Sequence, residues 1–409
     1  MTDSATPRSN PARGNDERLD PLAPSPGESP SITETAAASN DAFLSSGLSP
    51  GQPDPQGQQS PQRQQSPSSS GEVGHVKPAT TLHLIGPGQV GRAFLRQLQA
   101  RPPESLRLVA VSDRSGTVFQ REGLAAEGIV SHKHAGGRLC ELPGAETIPT
   151  ELAIRLVSAD IVVDATPSQA ADTDAAVQRG RAALQCGASL ALCSKNGLAE
   201  AAADWLVSAT RSRVLVNAVL GGTGAQLLAE LDELQRDCHG LALVGNVTTT
   251  AIITAIEDGA SVDEGIAEAQ RLGFLEPDAT LDLDGSDAAT KLLCVWSALF
   301  GSTFIKSPGL ASVQREDVRD LDPTALRERA SRGATTRLIA RGGRSGTDLR
   351  AAFEEVALGS PLAAPADRVV YGYELPSGLR VHTGLGVGYE RTAEALWQDV
   401  HALLLGAKQ

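Results

Sequence analysis

Between residues 81 and 217, short apolar runs alternate with segments of helical spacing, and this alternation limits the fold more than any other feature of the chain. Thr81–Ile85, Leu106–Ser112, Asp160–Ala165, Ser189–Cys193 and Arg213–Asn217 read as strands. Gln89–Ala100 places Val90, Phe94, Leu95 and Leu98 on one helical face. Asp174–Cys186 and Leu198–Thr210 are also helical in pattern. A strand that is apolar along its whole length needs cover on both faces. Helices between successive strands supply that cover and force a parallel sheet.

The character changes after Asn217. Gly221, Gly222 and Gly224 form a loop, and Ala225–Leu234 reads as a helix. Leu241–Thr250 (LALVGNVTTT) is strand-like because it is rich in β-branched residues. Helices are predicted at Ala251–Asp258, Ser261–Leu272, Ser286–Phe300 and Thr392–Leu405. Arg337–Ala340, Arg368–Tyr373 and Arg380–Thr383 look like strands of a second sheet. The expected division is a low-complexity tail over 1–78, a nucleotide-binding domain over 79–218, a catalytic and dimerisation domain over 219–371, and a C-terminal return over 372–409. The tail holds 12 of the 24 prolines and is dense in Ser and Gln, so it cannot bury enough apolar area to offset its ordering entropy.

Charge and cysteine usage remove several function classes. The formal net charge is −13 and no basic patch stands out, which argues against nucleic acid or an anionic membrane as partner. No run of 18 or more apolar residues and no signal-peptide pattern are visible, so a cytoplasmic location is expected. The five cysteines (Cys140, Cys186, Cys193, Cys238, Cys294) form no CxxC pair, which suits a reducing compartment. None of the seven histidines falls in a catalytic pattern; His132 and His134 read as loop residues. Only six of the 36 basic residues are lysines, at 77, 133, 195, 291, 306 and 408. A chain that uses Arg for routine charge makes each Lys a candidate for proton chemistry, which Arg cannot perform.

Four stretches carry chemistry. Gly86-Pro87-Gly88-Gln89-Val90-Gly91 fits GxGxxG between a strand and a helix, where glycines let the backbone approach a pyrophosphate at the helix N-terminus. It points to a Rossmann-type sheet that binds a dinucleotide, with a plain tight turn as the alternative. At the end of the second strand, Asp113 suits the 2′-hydroxyl of NAD, whereas Arg114 between two serines suits the 2′-phosphate of NADP. The two conflict, and the balance tilts slightly to NADP; a solvated turn stays open. Cys193-Ser194-Lys195-Asn196-Gly197 puts a scarce Lys at the carboxyl end of a strand, where ligands bind in open α/β sheets. The most specific block runs from Glu276 to Lys291 and sets five acids before one Lys. Asp284 and Ser286 are candidate helix caps, and Asp287 and Lys291 lie four apart on one helical face. A solvated acidic loop with a structural ion pair is the alternative.

GPGQVG at 86–91, CSKNG at 193–197, GNVTTT at 245–250, GFLEPDATLDLDGSDAATK at 273–291 and GLGVGYERTAEALWQD at 384–399 together resemble the homoserine dehydrogenase family from about residue 80 onward. The resemblance implies an α/β fold: a Rossmann-type nucleotide-binding domain plus an α+β catalytic and dimerisation domain with a second sheet. It implies NAD(P)-dependent interconversion of L-homoserine and L-aspartate 4-semialdehyde by a homodimer without an aspartate kinase domain or a C-terminal regulatory domain. It assigns Lys195 and Lys291 to acid/base work and Asp287 to orienting the helix Lys or a water. Glu276 and Asp282 fall near the substrate ammonium, with backbone amides around Gly222 toward its carboxylate. Gly86, Gly88, Gln89, Val90, Gly91, Asp113, Arg114, Thr166 and Ser194 are the implied cofactor contacts. A monovalent cation would lie near Asn217, Leu220 and Gly222.

The chain departs from the family pattern at four places. Ser194 replaces the usual Asn, Asn217 replaces a Glu in the metal-associated loop, Ala225 replaces a Pro, and Asn246-Val247-Thr248-Thr249-Thr250 replaces NGTTN. Two other readings therefore stay open: a related dehydrogenase for another small amino aldehyde or alcohol, and a non-catalytic nucleotide-binding regulator.

Overall fold

In the computed structural model, residues 79–275, 280–304, 307–386 and 388–406 are described. The expected tail at 1–78 and the candidate Glu276 lie outside them. The first half contains β1 (Thr80–Ile85), α1 (Gln89–Ala100), β2 (Leu106–Asp113), β3 (Gly116–Phe119), α2 (Ala126–His134), β4 (Ala145–Glu146), α3 (Thr150–Val157), β5 (Ile161–Asp164), α4 (Thr173–Gln185), β6 (Ser189–Leu192), α5 (Lys195–Trp205) and β7 (Val214–Leu215). The second half contains α6 (Gly224–Asp237), β8 (Gly240–Val244), α7 (Val247–Glu257), α8 (Val262–Arg271), α9 (Thr280–Leu283), α10 (Ser286–Phe300), β9 (Gln314–Arg315), α11 (Pro323–Ser331), β10 (Ala334–Gly343), β11 (Arg350–Ala357), β12 (Arg368–Leu375), β13 (Gly378–Leu385) and α12 (Gly388–Gly406).

The first sheet has the order β4-β3-β2-β1-β5-β6-β7. It is parallel from β2 through β7, and β3 and β4 extend it as an antiparallel edge. Every residue of β5 is buried, which is the doubly covered strand that the apolar run DIVVDA requires. The second sheet has the order β13-β12-β8-β10-β11-β9, with antiparallel pairing except between β9 and β11. α10 buries almost its whole apolar length, from Leu292 to Phe300, between α5 and this sheet. It therefore joins the two halves through a continuous core of the order of 40 side chains, worth about 1.5–3 kcal/mol for each large one fully buried.

Several expectations are corrected. VTTT at 247–250 opens α7 and does not continue the strand, because the Asn246 side chain accepts from the Thr249 N–H and caps a helix there. The threonines tolerate this by bonding their hydroxyls back to the Asn246 backbone oxygen. His132 and His134 lie in the last turn of α2, not in a loop. The fifth strand is only Val214–Leu215, and α5 starts at Lys195 and stops at Trp205. The second sheet runs through Leu385, past the expected division at 371/372, because β12 pairs with β8 on one side and β13 on the other. Only α12 then returns to the first sheet, where Trp397 packs on Phe94 and Glu390 and Glu394 pair with Arg96 and Arg101.

His83 sits fully buried in β1. Its Nε2 shares a 2.7 Å hydrogen bond with the Ser112 hydroxyl, which shares another with Thr117. Burial lowers its pKa from 6.5 to about 4. The unfolded chain thus binds a proton at a higher pH than the folded one, and stability is lost as pH falls from 6.5 toward 4. The span corresponds to about 3 kcal/mol. Urea unfolding at pH 6.5 and pH 4.5 will show this slope in the parent protein, and His83→Gln will flatten it.

Candidate active site

The turn after β1 is built by close approach. Gly86 has φ +82°, and a Cβ there would lie 2.8 Å from the Thr166 amide nitrogen. A Cβ on Gly91 would lie 2.3 Å from the Gly86 carbonyl oxygen. Both positions are thus closed to larger residues. Gly88 differs: a Cβ there meets nothing within 4 Å, so its surface faces open space at the start of α1. No side chain caps that helix, which leaves the first-turn amides around Gln89 and Val90 for a ligand. Open space over a glycine beside an uncapped N-terminus fits the pyrophosphate of a dinucleotide.

The other proposed cofactor contacts gather along the same edge. Thr166 follows β5, donating its amide and hydroxyl to Asp164 Oδ1 and accepting from Arg179. Asp164 is buried and ion-paired to Arg179 at 2.9 Å. Ser194 follows β6, is buried, and its hydroxyl has no protein partner among the described residues. β1, β5 and β6 are neighbours, so the glycine turn and Lys195 lie about 10 Å apart along the carboxyl edge. Asp113 ends β2 with both oxygens engaged: Oδ1 by the Ser115 amide and hydroxyl, Oδ2 by Lys133 at 2.7 Å. Burial would raise its pKa, but Lys133 and Ser115 outweigh that and hold it low. Arg114 is exposed beside it.

Lys195 and Lys291, 96 positions apart in sequence, meet on one carboxylate. Lys195 Nζ lies 3.4 Å from Asp287 Oδ1, and Lys291 Nζ lies 2.8 Å from Asp287 Oδ2. Lys291 also donates to the Gly245 carbonyl at 2.5 Å. Lys195 is the first residue of α5, fixed from outside the helix: Ser168 accepts from its amide, and the buried Cys294 thiol donates to its carbonyl. Burial pushes that thiol to about 12 and keeps it protonated. Lys291 and Asp287 are one turn apart on α10, which begins after Gly285 at φ +74°. Asp284 accepts from the Ser286 amide, so it serves the helix start as expected. The lysine side chains keep 24% and 14% of their surface, enough to be reached and little enough to be strongly desolvated.

The two acids are driven apart. Burial alone would raise Asp287, but Lys291 and Lys195 more than offset it and hold the group at about 2. Asp282 goes the other way, to about 6, through burial and the neighbouring Asp287 charge. Burial would lower Lys195, yet Asp287 outweighs it and the net shift is upward. Asn246 lies between the acids and donates to both. Arg179 and Lys133 are residues that no motif singled out, and Asn246, inside the GNVTTT motif, was given no role. The scarcity of lysine was a signal for Lys133; Arg179 had none, being one of 30 arginines.

In the loop at 217–225, the oxygens of Asn217 and Leu220 already accept hydrogen bonds from the protein. The Asn217 carbonyl oxygen accepts from the Gly222 amide at 2.8 Å, and the Leu220 carbonyl accepts from the Thr223 hydroxyl at 2.8 Å. Asn217 Oδ1 accepts from the Ala225 amide, and the Asn217 and Ala218 amides donate to the buried Asp399. The oxygens are turned onto the loop's own N–H groups. The Gly222 amide is likewise bound within the loop and is not free for a substrate carboxylate.

The family model described as homoserine dehydrogenase matches residues 226–401, and the glutamate/leucine/phenylalanine/valine dehydrogenase model matches residues 75–217. An NAD(+)-dependent homoserine dehydrogenase from Pseudomonas canavaninivorans is 27% identical over 78% of this chain and 94% of its own length. A homoserine dehydrogenase from Methanocaldococcus jannaschii is 26% identical over 63% of this chain and 78% of its own. A crystal structure of homoserine dehydrogenase from Thermoplasma acidophilum has a TM-score of 0.60 at 23% identity, covering 81% of this chain and all of that one. A hyperthermophilic archaeal homoserine dehydrogenase in complex with NADPH has a TM-score of 0.63 at 21% identity, covering 80% of this chain and 98% of that one.

Removing Asp287 leaves two desolvated ammonium groups without their shared partner. Asp287→Ala is therefore expected to lower stability by about 3–5 kcal/mol in urea unfolding at pH 7. Adding Lys291→Met should recover part of that loss, since one fewer charge is then stranded. The family model described as homoserine dehydrogenase thus covers the lysine-bearing helix and the second sheet, and the chain shares the two-sheet fold of the homoserine dehydrogenase structures.

Proposed function

We propose that the protein catalyses the NAD(P)-dependent interconversion of L-homoserine and L-aspartate 4-semialdehyde. The observation that carries this is the meeting of Lys195 and Lys291 on Asp287, at the carboxyl edge of strands that also carry the glycine turn. When bound, the nicotinamide supplies or takes up the hydride. The chain's own groups handle charge and the proton.

In reduction, the aldehyde carbon gains hydride and its oxygen becomes negative. A lysine ammonium beside that oxygen stabilises the charge and gives up one proton to form the alcohol, then is reprotonated from water. In oxidation the same lysine must first be neutral to take the hydroxyl proton. For Lys195, Asp287 favours the ammonium form against burial, which suits reduction. Asp282, and Glu276 beside it in sequence, supply negative charge for the substrate ammonium. No step runs through a cation at 217–222.

Asp113 is ion-paired with Lys133 and Arg114 is exposed next to it, so the three groups together carry one net positive charge beside the proposed adenosine ribose. That balance supports use of either cofactor, with NADP slightly favoured. We further propose that the protein acts as a homodimer in the cytoplasm, in keeping with its acidic charge; among the described residues no helix is long and apolar enough to cross a membrane.

Purified protein should oxidise L-homoserine with either nicotinamide cofactor, at a rate that climbs with pH into the alkaline range. Lys291→Ala should lower kcat by about 10²–10⁴-fold while nucleotide affinity is retained. Lys291→Arg should not restore turnover, because a guanidinium does not release its proton. An active Lys291→Ala variant would remove that residue from the mechanism. Gly88→Ala tests the cofactor edge separately: its Cβ meets no protein atom, so Tm should match the parent, while NAD(P)H titration by fluorescence should show affinity weakened at least about tenfold.

A further inference from the structure

Two carboxylates share this site, Asp282 from α9 and Asp287 from α10, and like charges at such range repel. The group between them is the carboxamide of Asn246, which is 3% exposed at the start of α7. Its Nδ2 lies 2.9 Å from Asp282 Oδ1 and 3.1 Å from Asp287 Oδ2. Its Oδ1 accepts from the amide and the hydroxyl of Thr249, each at 2.8 Å. The Thr249 amide can only donate, so the carbonyl end must face it and the NH₂ end must face the acids. The side chain therefore has one orientation, and both of its hydrogens are placed.

The titratable groups facing the pair come from three elements. Lys195 on α5 and Lys291 on α10 face both acids. The buried Cys294 thiol of α10 and the Tyr371 hydroxyl of β12 lie behind Asp287. Asp287 has two ammonium partners, whereas among the described residues only Asn246 donates to Asp282. Asp287 is thus committed to the lysines. Among the described residues, Asp282 Oδ2 has no cationic partner, which leaves that oxygen for a cation from a ligand.

We propose that Asn246 is a positioning residue that clamps Asp282 beside Asp287, so that Asp282, rather than Asp287, turns a carboxylate oxygen toward the ammonium of an amino-acid substrate. This rests on the homoserine reading given above. Its donor hydrogen also favours the ionised form of Asp282 against burial and the charge of Asp287. The capping role and the clamping role use opposite ends of one side chain, and so can be separated.

Asn246→Ser keeps a hydroxyl that can cap α7 but has no pair of hydrogens for the acids. The expected result is a homoserine KM raised by about tenfold or more near pH 6, with a smaller change in kcat and unchanged nucleotide affinity. The acid limb of kcat/KM should move up by about one pH unit. Asn246→Asp keeps an acceptor for Thr249 but adds a charge; it should move the limb further in the same direction, and it serves if the Ser variant does not fold. A ¹³C carboxyl titration of Asp-labelled protein, with Asp282 assigned through Asp282→Asn, should show the Asp282 midpoint rising in either variant. If KM, the acid limb and that midpoint all match the parent, Asn246 is only a helix cap and the inference falls. A parent protein inert toward homoserine would instead overturn the activity reading, and the carboxyl titration would still decide the role of Asn246.

Discussion

A single carboxylate, Asp287, is the constraint around which the functional half of the molecule is arranged. It draws an ammonium from the first residue of α5 and another from one turn along its own helix. Desolvation works against the charged form of Lys195, and the Asp287 carboxylate outweighs it. In turn, the acid is strongly ionised only because two cations face it. The arrangement requires α10 to lie against α5, and that contact is the main apolar seam between the two halves. Packing and charge placement are thus one requirement.

The same economy runs along the nucleotide edge. Asp164 is buried at the end of β5 and would be costly there without Arg179. Paired, it holds Thr166, which approaches the turn at Gly86. Two residues further on, Ser168 accepts from the amide of Lys195. A run of polar contacts therefore connects the floor under the glycine turn with the backbone of a proposed proton carrier. Small polar side chains on loops do the aiming, while the parallel strands fix where those loops begin.

Much of this could be read from the amino-acid order. The apolar runs of β1, β2, β5 and β6 are short, continuous and bounded by turn residues, and α10 falls on Ser286–Phe300 as its pattern implies. Scarcity singled out Lys195 and Lys291, and the family resemblance gave both to the same acid/base work. What escaped was set by neighbours and not by local pattern. VTTT favours a strand by composition, yet the cap at Asn246 wins. Arg350–Ala357, rich in Ala and Glu, carries no strand signal; it is extended because β10 and β9 flank it. Arg179 looks like any other arginine until Asp164 is placed beside it. The bridging role of Asn246 depends on acids 36 and 41 positions away, beyond any local window.

The packing of α12 governs when the first half can finish folding. The core around β1, β2 and α1 includes Ala393, Leu396, Trp397, Val400 and Leu404, and Asp399 ties the amides at 217 and 218. The contacts of α12 with α1 span about three hundred residues of sequence, and those of Asp399 span 182 and 181. On a ribosome, the strands from Thr80 to Leu215 emerge first but wait, with one apolar face uncovered, until residue 404 has been made. The glycine turn is then held against a finished core only after both sheets exist. A nascent chain of this kind is most exposed to aggregation late in synthesis, and a chaperone that shields the α1 face until α12 arrives would act at the step where it is needed.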